Sequence, residues 1–217
     1  MALLSACGTE PIQVAAPAPP PPPPPIVDPD TQCRADLAAM HVDFAALNTF
    51  GEGRCAIENP VRLSSGPIAL SRPGVVSCDM ARTLVRFEKD VLAPLARKYF
   101  GQTIKRIDHY GTYDCRSRRT ETAQNSKQNP NLGSSRGGRL SEHAMGRAID
   151  FAGVELADGR IISVKHDWRA GGASANFLHD LARQSCSVFN VVLTPNHDRL
   201  HQDHIHMDVG PNVLCGY

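Results

Sequence analysis

The spacing of apolar residues changes along the chain, and each change predicts an element. Leu37, Met40, Phe44 and Leu47 recur at helical spacing, which predicts an amphipathic helix of about four turns, ended by Gly51 and Gly53. Residues 55–70 read as short strands interrupted at Pro60, Gly66 and Pro67. Asp79 is the expected cap of a helix running through Leu84, Phe87, Val91, Leu92 and Leu95, with a kink or break at Pro94. Ile104 and Ile107 alternate with polar residues across 103–110, which predicts a strand leading to a turn at Tyr113-Asp114-Cys115-Arg116. Residues 117–139 are too rich in Ser, Asn, Gly and Arg to pack alone, and so long a loop in a compact domain is often functional. Segments 149–154 and 160–164 predict a hairpin around Ala157-Asp158-Gly159. Phe177, Leu178, Leu181 and Ala182 share one face of a helix over 173–185, residues 188–193 read as a buried strand, and 203–209 form the last strand. Helices early and antiparallel strands late predict an α+β domain.

The first thirty residues have a different character. Pro17 and the unbroken prolines at 19–25 favour an extended polyproline helix of about 3.1 Å per residue, so 8–30 is a semi-rigid linker and 31–217 the folded domain. With 41% hydrophobic residues, the domain is large enough for one buried core. A net charge of +1 argues against a nucleic-acid partner, which would need a basic face. No apolar run approaches the eighteen or so residues of a membrane span, so any membrane contact is expected through a lipid anchor alone.

The chain has seven cysteines and no C-x-x-C pair, which argues against a thiolate zinc knuckle or a thioredoxin-like motif. Cys7, in Leu4-Ser5-Ala6-Cys7-Gly8, resembles the lipobox of bacterial lipoproteins, so residues 1–7 read as the end of a lipoprotein signal. Only six residues precede Cys7 and none is basic, so the rest of that signal is expected upstream of this start. Gly8 rather than Asp follows the cysteine, which by the usual sorting pattern directs a periplasm-facing lipoprotein to the outer membrane. The remaining six, Cys33, Cys55, Cys78, Cys115, Cys186 and Cys215, are expected to form three disulfides in an oxidising compartment, with fifteen pairings open.

Two segments carry the candidate chemistry. Ser141-Glu142-His143-Ala144-Met145-Gly146-Arg147-Ala148-Ile149-Asp150 sets an imidazole and a carboxylate seven positions apart, with Gly146 where a tight turn is expected. His201-Gln202-Asp203-His204-Ile205-His206 places His204 and His206 two apart, on one face if the segment is a strand. Two imidazoles and one carboxylate from separate segments make a three-ligand Zn2+ site with an open fourth position, the arrangement of a catalytic zinc. Ser141 lacks the elbow context of a nucleophile, which argues against a serine hydrolase. Trp168 is expected in the core, and His41, His109, His166, His179 and His197 are expected to be structural or exposed.

The pattern S-x-H-x-x-G-x-A-x-D followed by H-x-H resembles the zinc peptidase superfamily of D-Ala-D-Ala carboxypeptidases, dipeptidases and murein endopeptidases, whose fold is shared with the Hedgehog signalling domain. Cys55-Ala56-Ile57-Glu58-Asn59-Pro60-Val61, Gly111-Thr112-Tyr113-Asp114-Cys115-Arg116, Asp158-Gly159-Arg160 and the residues from His201 to Asp208 narrow it. Over residues 33–217 the chain looks most like the bacterial extensin-like C-terminal domain. The resemblance implies a small antiparallel sheet flanked by helices and the metal ligands His143, Asp150 and His206. It also implies hydrolysis of peptidoglycan stem peptides in the bacterial envelope. Asp203 stands where the dipeptidases and carboxypeptidases carry the glutamate of E-x-x-H, whereas His201, His204 and His206 are spaced as in the murein endopeptidases. The proton-handling candidates are therefore His204 and His201, with Asp203 as orienter or substitute base. Arg116 lies in a context similar to the superfamily's Y-R-S segment, whose arginine helps bind substrate. Arg116 and Arg139 are thus the expected carboxylate grips, and Ser141 is expected to fix the His143 turn through its hydroxyl. Arg118, Arg119, Arg136 and Arg147 are expected to be solvated. The alternative is a non-catalytic, zinc-bearing lipoprotein that binds peptidoglycan, since Hedgehog-type relatives keep zinc without evident proteolysis.

Overall fold

The computed structural model describes residues 28–118 and 139–216. Cys7, Arg119, Arg136 and nearly all of the expected linker lie outside the described residues. Asp28 opens the first helix, α1 (Pro29–Ala39), its carboxylate accepting from the Thr31 N–H at 3.0 Å, with Pro29 where a missing N–H costs nothing. The helix stops well short of Leu47. His41 adopts a left-handed conformation (φ 56°), and the chain turns into strand β1 (Asp43–Ala46), where Phe44 faces Leu63 of β2 (Pro60–Ser65). Pairing with a distant strand overrides the helical spacing here.

Strand β3 (Ala69–Ser77) returns antiparallel to β2, and Pro60 begins β2 rather than interrupting it. Ser77, not Asp79, caps helix α2 (Cys78–Phe87): its side chain accepts from the Met80 N–H, while Asp79 pairs with Arg82 at 2.7 Å. The chain then widens into one π-helical turn (Glu88–Leu92) before α3 (Ala93–Phe100). Pro94 falls in the first turn of α3, so the proline is taken up beside the widened turn and the helix continues instead of breaking.

Strand β4 (Ile104–His109) runs parallel to β3 and antiparallel to β5 (Ala148–Leu156). The other edge of β5 is shared: residues 153–155 pair with β6 (Ile161–Ser163), and 148–151 with β8 (Ile205–Asp208). Between them lie α4 (Val164–Asp167), α5 (Gly172–Ser185) and β7 (Val191–Leu193). The last strand, β9 (Leu214–Gly216), runs parallel to β7. The architecture is α+β, with a broader and more mixed sheet than expected: among the described residues, nine strands in the order β1-β2-β3-β4-β5-β8-β7-β9, with β6 on β5. Strands also occupy the first half of the chain, where β1, β2 and β3 pair antiparallel in succession.

Strand alternation separates core from site. Ile149 and Phe151 of β5 and Ile205 and Met207 of β8 join one hydrophobic cluster with Phe87, Leu92, Phe177 and Leu178 from the helices. Phe87 meets the rings of Phe151 and Phe189 edge-on, and Phe100 packs on Phe177. Asp150, His206 and Asp208 therefore point to the opposite face. Trp168 is buried as expected and donates from Nε1 to Asn196. The disulfides pair Cys33 with Cys78, Cys55 with Cys115 and Cys186 with Cys215, which joins α1 to α2, ties the turn at Cys55 to the segment after β4, and ties the end of α5 to β9.

Glu88 is fully buried at the start of the π turn, with Oε2 accepting from the Ile68 N–H at 2.8 Å and Oε1 unpartnered among the described residues. Burial pushes its carboxyl up to about 8, against the pull of the Ile68 N–H and of Lys89. The unfolded chain ionises near its ordinary value of 4.5, whereas the folded chain keeps the proton to about 8. Stability should thus fall by about 1.4 kcal/mol per pH unit across that window. Glu88→Gln cannot ionise, so in urea unfolding at pH 5 and pH 8 it should remove most of this fall and exceed the wild type at the higher pH. A variant less stable than wild type at both values would contradict the assignment.

Candidate metal centre

Three pieces of backbone build the site. A 3-10 turn, Glu142–Met145, ends at Gly146 in the left-handed region (φ 62°). A Cβ on Gly146 would stand 2.7 Å from Ile57 Cδ1 and 2.9 Å from the Ser77 backbone nitrogen, so conformation and space both require glycine. The Gly146 carbonyl accepts from the Ser77 N–H at 2.8 Å, fastening the turn to the end of β3. It is the backbone that holds this turn: the Ser141 hydroxyl makes no capping bond, and its N–H donates to the Arg116 carbonyl at 3.0 Å. His143 is thereby buried against β5 and β8, while Asp150 and His206 face each other across the β5–β8 pairing.

The three side chains converge. Asp150 Oδ1 lies 3.0 Å from His143 Nε2 and 3.1 Å from His206 Nδ1, and the two nitrogens are 3.1 Å apart. The far nitrogen of each ring already has an acceptor: His143 Nδ1 donates to the Thr112 carbonyl at 3.3 Å, and His206 Nε2 donates to Asp208 Oδ2 at 3.0 Å. The facing nitrogens therefore present lone pairs toward a carboxylate oxygen, a convergence of acceptors that calls for a cation. Tetrahedral bonds of about 2.0–2.1 Å would set ligand atoms about 3.3 Å apart, close to the triangle found. His143, Asp150 and His206 form a possible metal-binding triad.

The electrostatics agree. Burial raises the Asp150 pKa, but hydrogen bonds to His143 and His206 more than reverse this and hold it far below the usual carboxylate range. Burial opposes charge on His206, yet Asp150 and Asp208 raise it to about 9. Without a metal ion, one proton on His206 partly relieves the conflict; an ion entering the site displaces it.

The second half of the motif stands beside the triangle. His204 Nδ1 donates to Asp203 Oδ1 at 2.9 Å, which leaves Nε2 bare and 3.5 Å from Asp150 Oδ1. Asp203 precedes β8, and its half-exposed side chain reaches His204 rather than the triad. His201 Nδ1 donates to Asp198 Oδ1 at 2.7 Å, and its ring lies 5.2 Å from that of His204 and 5.9 Å from that of His206. Burial lowers the His201 pKa despite Asp198.

The described arginines of this region each have a partner within the chain. Arg116 Nε donates to Asp114 at 2.7 Å and Arg139 Nη2 to Asn212 at 2.9 Å; among the described residues neither is hydrogen-bonded to the triad. Arg118 pairs at 2.8 Å with the buried Glu142, and Arg147 reaches Glu58 at 3.4 Å. Short-range carboxylates and amides capture these guanidiniums, which sequence spacing alone does not reveal. His109, expected to be structural or exposed, is buried and bonds to the Arg72 carbonyl.

Sequence reasoning passed over Thr112, Asp198, Asp208 and Tyr110. Asp208 had a signal, since it follows His206 by two on the same strand face. Asp198 had a weaker one, three residues before His201 at the start of a 3-10 turn, where it also accepts from the Leu200 N–H. Thr112 acts through its carbonyl, which no side-chain pattern encodes. Tyr110 packs edge-on against His204 with ring centroids 5.9 Å apart.

Fold and site together define an α+β domain with a two-histidine, one-aspartate candidate metal centre, its strand residues on the sheet face opposite the hydrophobic cluster. The family model for the extensin-like protein C-terminus matches residues 31–216, and the chain belongs to that family. Comparison with curated proteins and with solved structures gives no match.

Alanine at His143, Asp150 or His206 should each remove most zinc from purified, zinc-equilibrated protein, because three protein ligands leave no redundancy. Metal content measured by elemental analysis checks this. Full zinc occupancy in any one of the three would remove that residue from the ligand set.

Proposed function

We propose that the protein is a zinc metallopeptidase of the bacterial envelope that hydrolyses peptidoglycan stem peptides, and that its family is related to the murein endopeptidase branch of the zinc peptidases. The observation that carries this reading is a bare imidazole nitrogen, His204 Nε2, poised 3.5 Å from a ligand atom of a three-ligand centre. A zinc ion held by His143, Asp150 and His206 would lower the pKa of bound water towards ~7 and polarise a scissile carbonyl.

The protein's own groups supply the rest. Asp203 accepts the His204 Nδ1 proton and so fixes the tautomer in which Nε2 takes a proton from the attacking water and returns it to the leaving amine. That makes Asp203 the orienter of the base. Asp198 does the same for His201, whose lowered pKa keeps it neutral and able to accept a proton near neutral pH. Asp208 and the Thr112 carbonyl hold the two ligand imidazoles in register.

Location follows the same reading: Cys7 carries the lipid, the proline-rich segment spaces the domain from the outer membrane, and the site faces the periplasm. No helix among the described residues is long and apolar enough to cross a membrane. The alternative, a zinc-bearing protein that binds the wall without cleaving it, draws support from the hydrogen bonds of Arg116 to Asp114 and of Arg139 to Asn212, which a carboxylate grip would have to share or exchange.

Zinc-loaded protein incubated with muropeptides and read by mass spectrometry should release cleaved stem peptides. His204→Ala should keep its zinc and lose about 10²–10⁴-fold in rate. Wild-type protein that retains sacculi yet cleaves no muropeptide would replace the peptidase reading with the wall-binding one.

A further inference from the structure

Tyr110 sits just after β4, where its N–H donates to the Asp150 carbonyl at 2.9 Å and the next carbonyl, that of Gly111, accepts from the Asp150 N–H at 3.0 Å. Its backbone is thus clamped to the peptide unit of a metal ligand, and the Arg72 guanidinium donates to its carbonyl from the other side. The side chain lies outside the hydrophobic core. The residue is 47% exposed, and the other exposed large apolar side chains among the described residues, Ile161, Val213 and Leu214, lie on or beside β6 and β9. The Tyr110 ring instead stands edge-on to His204, the residue whose free nitrogen faces Asp150. Among the described residues its hydroxyl has no hydrogen-bond partner. A rigidly mounted, half-wet tyrosine beside the proton-handling group offers an aromatic wall and an unused donor where a substrate would enter.

We infer that Tyr110 contacts the substrate at the mouth of the metal centre, its ring packing on the peptide and its hydroxyl donating to a backbone or terminal carboxylate oxygen next to the scissile bond. The inference rests on the peptidase reading for the identity of that substrate. It makes Tyr110 a specificity residue rather than a support for His204, and the two roles separate experimentally. A support would change the rate and the pH profile; a substrate contact changes affinity.

The test measures binding of a cleaved stem-peptide product to zinc-loaded protein by calorimetry, together with kcat, KM and the pH profile, for wild type, Tyr110→Phe and Tyr110→Ala. Loss of the hydroxyl alone should weaken product binding and raise KM about three- to tenfold. Loss of the ring should weaken both further, with zinc content and pH profile unchanged in both variants. Cleaving wild type with Tyr110→Ala binding product equally well would overturn the inference and leave the peptidase reading standing. So would a shifted pH profile with unchanged product affinity. A wild type that neither binds nor cleaves the peptides would remove both.

Discussion

The constraint on which the structure turns is the meeting of three acceptor atoms, His143 Nε2, Asp150 Oδ1 and His206 Nδ1, at separations of 3.0–3.1 Å. Lone pairs brought this close repel unless a cation or a proton lies among them, and burial strengthens the repulsion by excluding water. The arrangement persists because each ligand is fixed from behind. Asp208 and the Thr112 carbonyl occupy the outer imidazole nitrogens, and the β5–β8 pairing sets Asp150 opposite His206. A metal ion satisfies all three atoms at once; a proton on His206 satisfies them only in part.

The same strands serve core and site. Ile149 and Phe151 anchor β5 in the helix-facing cluster while Asp150, between them, turns to the other side; Ile205 and Met207 do likewise around His206. Moving either strand by one residue would bury the ligands and expose the core, so hydrophobic packing fixes the metal geometry. The third ligand comes from outside the sheet, and its position depends on Gly146 lying flat against Ile57 and Ser77. The Cys55–Cys115 disulfide and the bond from Tyr113 to the Cys55 carbonyl hold the segment that presents Thr112. His201 and His204 are mounted differently, on the segment before β8, with Asp198 and Asp203 as local hydrogen-bond partners.

How much of this is legible in the sequence depends on the range of the interaction. The spacing of His204 and His206, the turn at Gly146 and the alternation around Asp150 are local, and they suffice to mark the candidate centre. The helix over 173–185 and the run containing Phe87 and Leu92 carry enough apolar periodicity to be read directly. Phe44 and Leu47 do not, because their helical spacing competes with pairing to β2, which lies beyond the reach of any helical repeat. Ser77 and Asp79 are both good caps, and only the path of β3 decides between them. The two parallel pairings leave no local trace at all. Arg116 is a different case: its partner Asp114 is only two residues away, and residue type alone does not choose between that local carboxylate and an external one. Tyr110 and Asp198 gain their places only from strands and turns that fold against each other.

A cation held by two imidazole nitrogens and one carboxylate oxygen would leave a distinct X-ray absorption signature at the zinc edge. The zinc-loaded protein should show one zinc per chain bound by nitrogen and oxygen alone at about 2.0–2.1 Å, with the outer-shell scattering of two histidines. Sulfur in the first coordination shell, no histidine scattering, or zinc binding unchanged when Asp150 is replaced by asparagine and His206 by alanine would contradict it.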